Sequence, residues 1–369
     1  MNAPSPNVEE DNGEGAFLDE SDIINEYEVD EEDLPDADEE GGSDGEEEFD
    51  GVDDSIHIFT GHTGELYTAA CSPTDATLVA TGGGDDKGFL WRITQGDWAF
   101  ELQGHQDSVS SLSFSADGQL LASGSLDGVV KVWDITRGEL KCTLDGPSGG
   151  IESCFSSSFS GHGGSVTCGD FTPDGRTICS GSDDATLRIW NPKTAEIIHV
   201  VRGHPYHTEG LTCLTINSDS SLALTGSNDG SVHVVNISTG KVVSSLSAHS
   251  DSVECGAFEA SSRRDGWRAA TGGMDKKLII WDQHSSPRCI CDHEEGVTCL
   301  QWLAGSRYIA TGCLDGKVRI WDSLSGDCAK IFTGHSDAIQ SIAISANRDF
   351  LVSVSLDGTG RVFEIAEFR

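Results

Sequence analysis

Histidine, a hydroxyl side chain and aspartate are the residue types from which a hydrolase builds a base, a nucleophile and the group that orients the base. This chain carries that trio seven times. The histidines are His62, His105, His162, His204, His249, His293 and His335, and each is followed 22 to 26 residues later by an aspartate: Asp85, Asp127, Asp184, Asp229, Asp275, Asp315 and Asp357. Four residues before each aspartate stands Thr81, Ser123, Ser180, Thr225, Thr271, Thr311 or Ser353. Six residues after it stands Trp91, Trp133, Trp190, Val235, Trp281, Trp321 or Phe363. Seven copies in register do not make seven active sites, and no strand-to-helix elbow presents a strained nucleophile. The same residues make a structural chain instead: indole N–H to hydroxyl, hydroxyl to imidazole, imidazole to carboxylate. Catalytic, cofactor and metal residues are therefore expected to be absent. Val235 and Phe363 bring no indole, so the fourth and seventh units are expected to be held less firmly.

The elements that position these residues follow the same period. In the second unit, Val109-Ser-Ser-Leu-Ser-Phe114 alternates like a strand, and Asp117-Gly118 turns. Leu120 to Ser123 is a second strand, Val129 to Trp133 a third and Leu140 to Leu144 a fourth. Four short strands repeated with a period in the forties specify a propeller blade. The expected fold is all-β, a closed propeller of seven four-stranded blades over residues 55–369, preceded by a disordered acidic tail over residues 1–54. The last unit ends at its third strand near Phe363, while Ile56-His-Ile-Phe59 has no blade of its own. That orphan should become the outer strand of the last blade and hide the sheet edges of the ring. Spacings between the Trp-equivalent positions are 42, 57, 45, 46, 40 and 42. The surplus in the second interval falls on residues 146–160, rich in Gly and Ser, and reads as a loop.

Charge narrows the partners. The net charge is −39. Residues 1–54 hold 24 of the 62 acids and no Lys or Arg, a composition that cannot bury enough apolar surface to order itself. Such a surface repels nucleic-acid phosphates and anionic lipid and attracts basic proteins. With no cationic, apolar signal segment and no apolar run near membrane length, the expected location is the cytoplasm, with the nucleus as a second compartment. The twelve cysteines read as small buried hydrophobes rather than a disulfide framework. Cys289, Cys291, His293 and Cys299 resemble metal ligands superficially, but the spacing is not that of a zinc knuckle and His293 belongs to the repeat.

The pattern Gly104-His105…Trp133-Asp134, repeated through Trp321-Asp322 and Gly334-His335, resembles that of the WD-repeat family. Within it, Gly82-Gly-Gly-Asp-Asp-Lys-Gly-Phe-Leu-Trp-Arg92, the acidic leader around Ile23-Ile24 and the ending Arg361-Val-Phe-Glu-Ile365 are similar to the group of angio-associated migratory cell protein. The resemblance implies a non-enzymatic platform acting as dedicated chaperone for a basic ribosomal protein of the large subunit. It also implies one further repeat between the second and third units, where this chain has Gly149-Gly-Ile-Glu152 and a Ser-rich stretch.

Three positions per blade should project on the narrower face: the third and fifth residues after the histidine and the residue before the aspartate. Met274, Leu314 and Leu356 hold the last of these on consecutive blades; Tyr67 continues them, with Leu126 beyond. Glu65, Glu254, Glu295 and Asp337 surround them. An apolar patch rimmed by charge marks an interaction site, and the expected occupant is a basic protein bound by a monomer. A regulatory scaffold is the alternative: signalling or cell-migration adaptor, or ubiquitin-ligase substrate receptor. In that last role, Trp133-Asp134 is followed by Arg137 one residue too late for a Trp-Asp-x-Arg motif.

Overall fold

The computed structural model describes residues 52–93, 98–145, 161–259 and 266–369. The acidic leader up to residue 51 and the stretch 146–160, where the sequence places a disordered tail and a surface loop, lie outside them. Twenty-eight strands among the described residues form seven four-stranded antiparallel sheets. Six are built from consecutive strands. The seventh takes Ile339–Ile344, Phe350–Ser355 and Gly360–Glu364 from the end of the chain and His57–Phe59 from its start.

The orphan strand closes the last blade as its sequence requires. His57 pairs with Val362 and Phe59 with Gly360. The clasp begins before the strand: Asp54 donates its N–H to the Thr333 carbonyl at 3.0 Å, and Asp53 engages the Arg361 guanidinium. Both aspartates fall in the stretch read from sequence as tail. Phe59 is buried and stacks on Trp91 of blade one, with ring centroids 4.8 Å apart and planes 3° apart. One aromatic side chain thus joins the last blade to the first.

Apolar side chains of neighbouring blades fill the space between sheets. The first residue of each inner strand illustrates the packing. Leu66, Val109, Leu211, Val253, Val297 and Ile339 are all fully buried, and for all but Leu66, which meets the blade carrying Val354, the strand of the preceding blade offers a glycine to receive them. A Cβ on Gly82 would lie 2.6 Å from Val109, and one on Gly272 would lie 2.6 Å from Val297. The exception is Val166 of blade three, which is only partly buried. Inner strands of successive blades pack against one another around the ring, but Val109–Phe114 and Val166–Phe171 are not packed in this way. A cavity of about 410 Å³ lies at this junction, lined by Ser113, Ala122 and Val132 on one side and by Gly169, Asp170 and Phe171 on the other.

Candidate protein-binding face and its supporting network

Five of the seven trios form as the sequence specifies. In blade one the Trp91 indole N–H donates to Thr81 Oγ1 at 3.2 Å, the Thr81 hydroxyl reaches His62 Nε2 at 3.1 Å, and His62 Nδ1 reaches Asp85 at 2.9 Å. Blades two, three and five repeat this with Trp133, Ser123, His105 and Asp127; with Trp190, Ser180, His162 and Asp184; and with Trp281, Thr271, His249 and Asp275. In blade seven Ser353, His335 and Asp357 are joined at 2.7 and 2.8 Å, while Phe363 packs on Phe332 instead of donating. Each hydroxyl is buried, and in the four complete sets its oxygen already accepts an indole N–H. None of these four is an exposed nucleophile.

Burial disfavours protonation of His105, His162 and His249, whose pKa values are lowered despite the carboxylate beside each. Burial also works against the Asp184 carboxylate. Hydrogen bonds from the Thr186 hydroxyl and the Gly163 N–H, with His162 alongside, nevertheless hold it down at about 2.

Blade four corrects the sequence reading. Its histidine is His207, not the exposed His204. Thr225 reaches His207 Nε2 at 2.8 Å, and His207 Nδ1–H donates to Ser231 Oγ at 2.6 Å. Ser231 passes the bond to Asp229. The indole that Val235 cannot supply is replaced by Tyr206, whose O–H donates to Thr225 at 3.1 Å. The blade is therefore not missing its donor. The signal was present in the sequence: Gly210 and Thr212 are third and fifth after His207, the spacing of the other blades.

Blade six is the second correction. His293 Nε2 reaches Thr311 at 3.0 Å, but Nδ1–H donates to the Cys291 carbonyl at 3.2 Å rather than to Asp315. Asp315 instead takes the Arg319 guanidinium in two bonds of 3.1 and 2.6 Å. With both ring nitrogens of His293 engaged, Cys289 and Cys291 have no imidazole to share a metal with. Among the described residues no cluster of three His, Cys, Asp or Glu has metal-binding geometry.

The network fixes the face above it. In every blade the N–H of the residue before the aspartate donates to the carbonyl of the third residue after the histidine. Met274 to Ser252 is 2.9 Å, Leu314 to Gly296 3.0 Å, Leu356 to Ala338 3.0 Å and Leu126 to Ser108 3.0 Å. In every blade the strand register also shifts once around the fifth residue after the histidine, as between Leu66 and Thr68 or Val253 and Cys255. Such a bulge re-aims the extra side chain, here Tyr67 and Glu254.

Glycines bring the members of the apolar sector close to one another. A Cβ on Gly296 would lie 2.7 Å from Met274 Sδ and 3.2 Å from Leu314 Cδ1, so both side chains border the same glycine. Gly358 of blade seven lies against Gly64 of blade one, which brings the loops of Leu356 and Tyr67 together. Leu314 and Leu126 are exposed; Met274, Leu356 and Tyr67 are half-buried. The acids are less free than the sequence suggests. Glu65 accepts the Tyr67 O–H at 2.7 Å, Glu254 accepts the Ser252 O–H at 2.6 Å, and Glu295 pairs with Lys276 at 3.0 Å. Asp337 is exposed and caps the Ala338 N–H. Lys276 is the residue sequence reasoning missed, because a lone lysine in a turn carries no signal.

Repeated blades braced by this network define a WD-repeat propeller, and the WD domain, G-beta repeat family matches the chain over residues 53–92, 96–134, 152–191, 195–236, 240–282, 285–322 and 326–364. The chain belongs to that family, whose fold is a platform for binding proteins. It is homologous to angio-associated migratory cell protein. The human protein of that name is 32% identical over 360 residues, covering 85% of this chain and 81% of the relative. An uncharacterised WD repeat-containing protein of Schizosaccharomyces pombe is 28% identical, covering 85% and 87%. Among solved structures, Sqt1 of Chaetomium thermophilum bound to the N-terminus of the ribosomal protein L10 superposes with a TM-score of 0.76. It is 21% identical and covers 85% of this chain and all of that one.

Proposed function

We propose that this chain is a non-catalytic chaperone for a basic ribosomal protein of the large subunit, working as a monomer in the cytoplasm and also in the nucleus. The observation that carries the reading is the placing of Met274 and Leu314 side by side against Gly296, on a face where Glu65, Glu295 and Asp337 are exposed. An aliphatic anchor inside an acidic rim suits a basic segment with apolar side chains. Burial supplies most of the affinity, and charge supplies association rate and choice of partner. The likeness to Sqt1, whose structure holds the N-terminus of ribosomal protein L10, supports this choice of client.

The test is binding of the full chain to the N-terminal peptide of the large-subunit ribosomal protein L10. Leu314→Ser with Leu356→Ser should speed dissociation at any salt concentration. Glu295→Lys with Asp337→Lys should slow association, most strongly at low salt. Unchanged kinetics in both double variants would place the client elsewhere and remove the reading.

A further inference from the structure

The protein carries a net charge of −39, and many of its cations are taken by neighbouring acids. Blade six pairs each of its four: Arg307 with Asp322, Lys317 with Glu294, Arg319 with Asp315 and Lys330 with Glu367. Blades two and three differ. Lys131, Lys141, Arg188, Lys193 and Arg202 form no ion pair among the described residues.

Arg188 shows why. It stands four residues after Asp184, as Arg319 stands four after Asp315. In blade six the histidine turns to a carbonyl and leaves the aspartate to the arginine. In blade three Asp184 is taken by His162, the Gly163 N–H and the Thr186 hydroxyl. Arg188 is left without a carboxylate, its buried Nε has no hydrogen-bond partner, and its charge is not neutralised by a neighbouring acid.

Beside these cations the outer strands expose aliphatic surface. Ile197–Val201 reads Ile-Ile-His-Val-Val and, among the described residues, is the only outer strand with three exposed large aliphatic side chains: Ile197, Ile198 and Val200. Ile197 lies against Gly161 together with Arg188. On blade two the outer strand Glu139–Asp145 exposes Leu140 and Leu144. An edge strand with no formal charge of its own is a place where another chain pairs or packs unless something covers it.

We propose that the outer strands of blades two and three form a second docking surface, for an acidic segment of a protein partner that also carries aliphatic side chains. The surface is separate from the acidic face and does not rest on the chaperone reading. Charge complementarity names the occupant, since five of the cations left without an ion pair among the described residues gather on these two blades of a chain of net charge −39. The aliphatic side chains choose protein over nucleic acid: single strands are held by aromatic stacking platforms, and the rest of this acidic molecule repels a long polyanion. A second copy is disfavoured because a two-fold contact would set these cations against themselves.

The experiment uses the full chain and a fluorescent peptide of about twelve residues alternating Glu and Val. A Glu-Ser peptide of equal charge and an oligouridine RNA serve as comparison probes. The Glu-Val peptide should bind more tightly than either. Lys141→Glu with Lys193→Glu, both at exposed positions, should weaken it by about tenfold without changing the melting temperature, as expected of surface charges away from the core. Ile198→Ser with Val200→Ser should weaken it at both low and high salt. Leu314→Ser with Leu356→Ser should leave it unchanged, which separates this surface from the client face. Equal binding of the Glu-Ser peptide, tighter binding of the RNA, or indifference to the charge reversal overturns the proposal. A concentration-dependent dimer abolished by the same reversal also overturns it, in favour of a second copy.

Discussion

The Tyr206 hydroxyl donates to Thr225 Oγ1 across 3.1 Å, in the position where other blades place a tryptophan indole. The donor has moved from the third strand of the blade to the loop before its first. Tyr206 also packs its ring on His207, with centroids 4.4 Å apart, and both rings lie near His233. A blade whose third strand lacks a donor is completed from elsewhere in the chain.

His207→Ala should destabilise the protein by about 1–3 kcal/mol, because Thr225 and Ser231 lose a buried partner. His204→Ala should cost less than about 0.5 kcal/mol, as exposed substitutions do. Tyr206→Phe removes one hydrogen bond and should cost about 1 kcal/mol. Urea denaturation of the three variants measures all of this. Equal midpoints for His204→Ala and His207→Ala would return the network to His204.

Acid should weaken the fold in two stages. Burial first, and then the neighbouring His233, lower the His207 pKa to about 3; burial and then Arg319 lower that of His293 to about 4. Both histidines stay neutral when folded and protonate when unfolded, so the unfolded chain binds more protons and stability rises with pH. Their contribution is complete above about pH 6.5, the ordinary histidine value. It is lost as pH falls from there to about 3 for His207 and about 4 for His293. The carboxylates of Asp184 and Asp357, held at about 2, add a second loss as pH falls from their ordinary value of 3.8 to about 2. Melting temperatures across pH 3–8 should decline below pH 6.5, and His207→Gln should flatten the first part of that decline.

Closure depends on a short strand, so it should be sensitive to one side chain. Phe59→Ala empties the space against Trp91 and should cost about 3–5 kcal/mol, the range for buried aromatics. Removing residues 1–51 should leave the melting temperature unchanged. Removing residues 1–59 takes the strand and the Asp53 and Asp54 clasp, and should lower it by several degrees. Scanning calorimetry on the two truncations decides the matter, and equal values would mean that the blade holds without its outer strand.

The Arg319–Asp315 pair is nearly enclosed, with side chains 4% and 11% exposed. Arg319→Ala leaves a buried carboxylate and should cost about 3 kcal/mol or more. Lys317→Ala, on the exposed side of the same cluster, should cost less than about 1 kcal/mol. A chemical denaturation series with both variants distinguishes a buried pair from a surface one.

The sequence determined the repeat unit, because a blade is encoded locally. Apolar alternation, turn residues and the spacing of hydroxyl, aspartate and tryptophan all lie within one period, so Trp91, Thr81, His62 and Asp85 could be joined before any fold was known. It also determined that Ile56 to Phe59 closes the last blade, since a strand without a sheet has one place to go.

Only the tertiary structure decided which partners compete and win. Asp315 has the spacing from His293 that joins the pair in other blades, but Arg319 offers it two bonds where the histidine offers one. Tyr206 substitutes for an indole because a loop three residues longer carries it over Thr225, a fact about space rather than spacing. Glu295 reads as free charge until Lys276 is seen 3.0 Å away. Arg188 reads as an ordinary surface cation until Asp184 is seen to be taken. Hydrogen bonds and ion pairs are settled by which groups arrive within about 3 Å, and that distance is set by how loops and strands fold together within a blade and across to its neighbour.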